Sequence, residues 1–307
     1  MPIIFLHGVA SRHGERTYET FVRTVKKHLR TYVAPTIASD PRNVLIRDVY
    51  WGDVGSGLAW HGASCPPTTV FVPTRNAGLD TMTAFTHAKH MGDVLGESLT
   101  RLTGQLGNAG TRVAGVARGS FHPLIMRFFG DIFVYLAQRG TPEAPGPIPM
   151  KVLTALQEAR TNQDMRPHEP LIVLSHSMGG QIIYDMVTAF LPYSSVFHDV
   201  TIDFWCACSS QVGLFEEMKL FLKSSSRYGP NEPVPFPPAH LGRWWNVWDP
   251  NDFLSYTVHG IIAGVDDGAY DSGVSAADAH HMILLNYSFY AAFAKKITDA
   301  KYKRFMK

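Results

Sequence analysis

Apolar and polar positions follow two different rhythms along this chain. Pro2 to Leu6 is a short unbroken apolar run closed by His7-Gly8. After a polar loop, Val9 to Gly14, the residues Tyr18, Phe21, Val22, Val25 and Leu29 recur at helical spacing with basic residues between them. An apolar stripe of that period predicts an amphipathic helix. Asn43 to Trp51, "NVLIRDVYW", then reads as a second strand. Strand, loop, helix, strand is the opening of a parallel sheet with crossover helices.

The rhythm loosens from about Gly52 to His168, where Gly and Pro cluster in "GDVGSG", "CPP" and "TPEAPGPIP". Within it, "FHPLIMRFFGDIFVYLAQRG" predicts a helix with a broad apolar stripe of Phe121, Leu124, Ile125, Phe128, Phe129, Ile132, Phe133 and Leu136, interrupted by Arg127 and Asp131. Another helix is expected over Ile148 to Arg160. Alternation then returns. "PLIVL" is a buried strand, Met178 to Ala189 a helix, "VTIDFWCAC" a strand, and Phe215 to Phe221 a short helical piece. The proline-rich linker "YGPNEPVPFPPAH" precedes the strand "RWWNVWD", and His281 to Lys296 closes the chain as a helix carrying Leu285, Phe289, Ala292 and Phe293. The predicted architecture is α/β: a mostly parallel sheet with flanking helices, formed by 1–53 and 168–307, with a mainly helical insertion or cap at 54–167.

Composition narrows the classes. Hydrophobic residues make up 45% of the 307, enough for a packed core, and charged residues only 18%. A net charge of +2 gives no electrostatic case for nucleic acid or a strongly anionic surface. Three cysteines make no disulfide framework, and Met1 to Ala10 has no basic segment before its apolar run, so it reads as a core strand rather than a signal peptide. No uninterrupted apolar stretch reaches the roughly 18 residues of a membrane span. These features together lead us to expect a cytoplasmic protein.

Chemistry concentrates at "LSHSMGG". A buried strand delivers the chain to Ser177 and a helix leaves at once. A serine in such a tight turn has its hydroxyl at the carboxyl edge of the sheet, near the positive end of the new helix. Gly179 and Gly180 give the close approach that the turn needs, while Ser175 stands where G-x-S-x-G has its first glycine. Serine needs a base, and the base an orienting acid. Both come later in the chain in that order: "NVWDPNDFLSY" brings Asp249 and Asp252, and "DSGVSAADAHHMILLNY" brings His280 and His281.

On "FLHG", "LSHSMGG", the acids after a late strand and the histidines before the last helix, the chain resembles the α/β-hydrolase superfamily of serine esterases and lipases. The likeness covers about Met1 to Trp51 and Glu169 to Lys307, and leaves out the middle. It departs at Ser175, and no strand precedes the one carrying "FLHG". The resemblance implies Ser177 as nucleophile, Asp252 as acid with Asp249 as the alternative, and His280 as base with His281 as the alternative. It assigns His7 and Gly8 to the base of the oxyanion loop, with the backbone N–H groups of Val9 and Met178 as donors. The expected reaction is hydrolysis of a carboxylic ester, with an apolar or lipid-like acyl group favoured by the aromatic insertion. Amide or thioester cleavage would use the same triad. A non-catalytic scaffold binding a protein or lipid through the insertion is the rival, and the insertion could also touch a lipid surface or form a homo-oligomer. No cofactor or metal is expected: "WGDVGSG" lacks a phosphate-loop lysine, "HGVASRHG" lacks G-x-G-x-x-G spacing, and no histidine pair has H-E-x-x-H spacing.

Overall fold

The structure, a computed structural model, describes residues 2–9, 16–60, 63, 126–164, 170–273 and 279–304. Most of the expected insertion, the stripe residues Phe121, Leu124 and Ile125 included, lies outside the described residues. The chain divides into two compact units, Met1–Ser56 with Asp131–Lys307, and Gly57–Gly130. In the second unit, residues 126–130 are helical and the rings of Phe128 and Phe129 meet edge-on at 5.4 Å. Residues 131–164, which the sequence assigns to the insertion, belong to the first unit, and so do all the candidate site residues.

The first unit is an α/β fold around a six-stranded, all-parallel sheet. Its strands are β1 (Pro2–Leu6), β2 (Leu45–Val49), β3 (Ile172–His176), β4 (Ile202–Cys208), β5 (Leu241–Trp248) and β6 (Asp266–Ala269), in the order β2-β1-β3-β4-β5-β6. The central strands β1 and β3 are buried along their whole length, so both faces must be covered. Side chains alternate between the faces. Ile3, Phe5, Ile172, Leu174, Phe204, Cys206, Cys208, Trp245 and Val247 join one core. That core takes Tyr18, Val22, Val25 and Leu29 from α1 (Arg16–His28) and its continuation, and Phe289, Tyr290, Phe293 and Ile297 from the last helix, α6 (Tyr287–Arg304). On the other face Trp205 stacks on Trp244 at 4.3 Å, and Tyr184 of α3 (Met178–Asp185) lies 5.7 Å from Trp244. Helix α2 (Pro147–Asp164) packs on β1 and buries Val152, Leu153 and Leu156, and α4 (Val212–Glu217) follows β4 and packs on α3.

Strand order places one reversal inside the sheet. From β1 the chain moves outward to β2, then returns to the other side of β1 for β3 and continues to β6. The order reverses between β1 and β3, and in open parallel sheets the crevice beyond the carboxyl ends at such a reversal is the usual ligand site. The β1 end carries His7-Gly8 and the β3 end carries Ser177.

Several elements differ from the sequence reading. The helix after Ser177 is regular to Asp185, then widens into a π turn over Met186–Phe190 before ending at Tyr193. The expected closing helix is broken. A short α5 (Ala279–Met282) and a 3₁₀ turn (Ile283–Leu285) precede α6, so His280 sits inside a helical turn. Strand β6 has no counterpart in the apolar pattern, because "DDGA" lacks the β-branched and aromatic residues that mark strands. In the helical residues 131–138 it is Asp131 and Tyr135 that are buried, while Phe133 of the apolar stripe is 64% exposed. Asp131 accepts from the backbone N–H and the hydroxyl of Ser56, both at 2.7 Å, which satisfies the buried carboxylate. Among the described residues no helix is long and apolar enough to cross a membrane.

Candidate active site

Ser177 is the single residue between β3 and α3, and its backbone is forced. It holds φ 53° and ψ −129°, a region that costs a non-glycine residue roughly 1–3 kcal/mol. The turn is fixed from several sides. The Ser177 N–H donates to the Cys208 carbonyl at 2.9 Å, and the Gly180 N–H returns to the Ser177 carbonyl at 2.8 Å. A Cβ on Gly8 would lie 2.6 Å from the Ser177 Cβ, and one on Gly179 would lie 2.7 Å from the Leu6 carbonyl oxygen. Both glycines are therefore required by close approach, one pressing the β1 loop against the serine and the other the start of α3 against β1. The Ser177 hydroxyl is buried and makes no hydrogen bond.

Ser175 does not crowd this turn. Its side chain points to the opposite face of the sheet from Leu174, where its hydroxyl accepts the indole N–H of Trp205 at 2.8 Å. The serine in place of a first glycine satisfies a buried donor on the neighbouring strand.

His7 is fully engaged. The Trp51 backbone N–H donates to its Nε2 at 3.2 Å, so the proton is on Nδ1, which donates to the Gly8 carbonyl at 2.6 Å. Its ring stacks on Trp51 at 5.4 Å, and the Trp51 indole donates to the His7 carbonyl at 3.0 Å. Because a trans peptide points its C=O and N–H in opposite directions, pinning the Gly8 carbonyl turns the Val9 N–H away from the His7 ring. Met178 opens α3, where backbone N–H groups have no intrahelical acceptor.

The two acids differ sharply. Asp252 Oδ2 accepts from His280 Nδ1 at 2.8 Å, and Asp252 Oδ1 accepts from the Leu254 N–H at 2.9 Å. Burial pushes this carboxyl up, but the His280 hydrogen bond, the imidazole charge and the Leu254 N–H outweigh it and hold it below the usual carboxylate range. The Ser209 hydroxyl lies beside the same carboxylate without a well-directed hydrogen bond. Asp249 instead gives its oxygens to the backbone N–H groups of Asn251 (2.8 Å) and Ser272 (3.0 Å), as a residue that shapes the turn would. With its Nδ1 proton toward Asp252, a neutral His280 has its Nε2 lone pair available to take a proton. His281 is exposed and lies edge-on to Phe21 at 6.2 Å.

Sequence reading missed two supports. Asp267, on β6, accepts from Asn246 Nδ2 (2.6 Å), Thr257 Oγ1 (2.6 Å), the Val258 N–H (3.0 Å) and Trp248 Nε1 (3.2 Å). It thereby clamps the loop that bears Asp252 onto β5. The other is His176, whose Nε2 stands 2.6 Å from the His280 carbonyl oxygen and whose ring is 4.8 Å from the His280 ring. So the residue next to Ser177 touches His280, although no Ser177–His280 hydrogen bond forms. A histidine between two serines has no periodicity to flag it, and Asp267 belongs to an element with no strand signature. Among the described residues no group of three or more His, Cys, Asp or Glu side chains is arranged to hold a metal ion. No protein-family model and no curated protein matches the chain.

Proposed function

We propose that this protein is a serine hydrolase of the α/β-hydrolase type that cleaves carboxylic esters through an acyl-enzyme. The observation that carries the reading is Ser177 itself. It is a buried serine with φ 53° at the reversal point of a parallel sheet, one residue from a contact to a histidine that is hydrogen-bonded to a low-pKa aspartate. Nature places nucleophilic serines on such strained strand-to-helix turns.

His280 Nε2 takes the Ser177 proton as Oγ bonds to the ester carbonyl carbon. Asp252 keeps the Nδ1 proton in place and stabilises the imidazolium. Negative charge moves to the carbonyl oxygen, facing the N–H groups of Val9 and Met178. Collapse of the tetrahedral species breaks the bond to the alkoxy oxygen, which leaves with the proton from His280. Water then attacks the acyl-enzyme, its proton passing to His280, and the carboxylic acid departs as the serine is reprotonated. Three of the exposed side chains beside the acid and base, Phe253, Leu254 and Met282, are apolar, with His281 the polar exception, which favours an apolar acyl or alkyl group.

One observation favours the rival, a hydrolase-like scaffold without activity: the Ser177 hydroxyl is not bonded to His280. Such bonds are often long without substrate and tighten in the reacting complex. A panel of esters, thioesters and amides of varied acyl length, run with Ser177→Ala as control, separates the readings. Ester turnover that vanishes in the variant is the expected result. No turnover on any member, by protein shown to be folded, favours the scaffold.

A further inference from the structure

His280 is held at two atoms, and only one of the two holders belongs to the triad. Asp252 takes its Nδ1 at 2.8 Å. Its backbone carbonyl lies 2.6 Å from Nε2 of His176, the last residue of β3. A carbonyl oxygen only accepts, so Nε2 carries the proton and His176 is the donor. The His176 ring is 2% exposed, packed under Phe21 of α1 at 6.4 Å and against the rings of His280 at 4.8 Å and His281 at 5.4 Å. Burial pushes its pKa well below the ordinary histidine value, and the nearby His280, His281 and His7 rings push the same way, against the opposing pull of the His280 carbonyl.

We infer that His176 is a positioning residue for the base: its Nε2–H bond to the His280 carbonyl sets the distance between α5 and the nucleophile turn. The inference rests on the hydrolase reading of Ser177. The missing Ser177–His280 bond calls for such an anchor. Ser177 and His280 do not hold each other, so their separation depends on backbone anchors. His176 adjoins the nucleophile and bonds the base residue itself, which makes this the shortest route of attachment between the two. The ring must also stay uncharged, because His280 becomes positive during the reaction and a second cation packed against it would oppose that step.

Two variants and one measurement on the unaltered protein test the role. His176→Phe keeps a ring of similar size and removes the donor; His176→Gln keeps an N–H donor at about the reach of Nε2. On the best ester, His176→Phe is expected to lower kcat and the rate of fluorophosphonate inactivation by about 10- to 100-fold with little change in KM, and His176→Gln to restore most of that loss. A purely space-filling residue would give the reverse order, with Phe tolerated better than Gln. In the unaltered protein, ¹⁵N-histidine NMR is expected to show His176 as the Nε2–H tautomer, untitrated from about pH 8 down to about pH 5. A folded His176→Phe protein with undiminished kcat would overturn the inference. So would an Nδ1–H tautomer, or titration of His176 near the ordinary histidine value, and these decide the matter even where the Phe variant does not fold. Loss of the hydrolase reading shows separately, as an unaltered protein whose Ser177 does not react at all.

Discussion

The carboxyl ends of β3 and β4 present two serines with nearly the same positive φ. Ser177 has φ 53° and Ser209 φ 50°; both are buried, and neither hydroxyl makes a well-directed hydrogen bond. The two turns lean on each other, since Ser177 donates to the Cys208 carbonyl and a Cβ on Gly180 would lie 2.6 Å from Ser210. The chain leaves the two serines differently. After Ser177 a helix starts at once and its first N–H groups have no internal acceptor. After Ser209 the chain is tied into a buried polar lattice: Ser210 donates to Asn246 at 3.0 Å, and Gln211 receives Gln181 at 2.6 Å and donates to the Ser209 carbonyl at 3.0 Å. Ser209 adjoins Asp252, whereas the neighbour of Ser177 adjoins His280. Backbone strain and an unpaired hydroxyl therefore do not by themselves mark a nucleophile. The helix that starts directly after it, and a neighbouring His176 bonded to His280, set Ser177 apart from Ser209.

The sharpest way to break this contrast is to delete each hydroxyl. Ser177→Ala should cut kcat by about 10⁶, while Ser209→Ala should leave it within about ten-fold, as measured on one ester under saturating conditions. If the two variants lose activity equally, the distinction drawn between the turns fails. The acids come next. Asp252→Asn should lower kcat by about 10⁴ with the fold intact, by losing control of the His280 tautomer. Asp249→Asn should act on stability, costing about 1–3 kcal/mol in denaturant unfolding because two backbone N–H groups lose a charged acceptor. A reversal of those two outcomes would transfer the acid's role to Asp249.

Smaller effects test the packing around the nucleophile. Gly8→Ala would push a methyl against the Ser177 side chain, and overpacking of this kind costs roughly 1–3 kcal/mol. Slower covalent labelling of Ser177 is the expected readout. Ser175→Ala should destabilise by about 1–3 kcal/mol, since the Trp205 indole loses its acceptor, and should leave kcat nearly unchanged. A stabilised or more active Ser175→Ala protein would contradict the place given to that hydroxyl.

The gentlest probe is pH. His176 has a folded-state pKa below its unfolded value, so the unfolded chain binds the extra proton. Its contribution to stability is complete above the unfolded histidine value of about 6.5 and is lost as pH falls below it. Asp252 is also depressed, so its contribution is complete above the unfolded carboxylate value of about 3.9 and disappears in stronger acid. Denaturant midpoints should therefore fall from about pH 7 to pH 5, and His176→Gln should flatten that part of the curve. An unchanged slope in the variant would mean that His176 is not held neutral.

How much of this was legible in the sequence depended on whether packing or local chemistry fixed each element. Pro2–Leu6 and Ile172–His176 are continuous apolar runs because both sheet faces are covered, and such runs announce themselves. Ser177, the acids Asp249 and Asp252 and the histidines His280 and His281 could be named from residue type and chain order, and the resemblance to α/β-hydrolases favoured Asp252 and His280. Why Asp252 rather than Asp249 meets the imidazole is a matter of loop geometry that residue types do not carry: Asp249 accepts from the Asn251 and Ser272 N–H groups, whereas Asp252 Oδ2 accepts from His280. Asp266–Ala269 pairs through its backbone along the edge of β5, and its side chains carry no strand signal. In the described part of the apolar stripe, 128–136, the burial follows side-chain hydrogen bonding rather than hydrophobicity. Phe129 and Phe133 are exposed there, while Asp131, which accepts from Ser56, and Tyr135, whose hydroxyl donates to Asp185, are buried.

Labelling the folded protein with a fluorophosphonate probe and mapping the adduct by peptide mass spectrometry asks most directly whether Ser177 is a nucleophile. A single adduct on the peptide containing Ser177, lost in Ser177→Ala and retained in Ser209→Ala, is the result expected here. Folded protein with no adduct, or an adduct that survives Ser177→Ala, would contradict it.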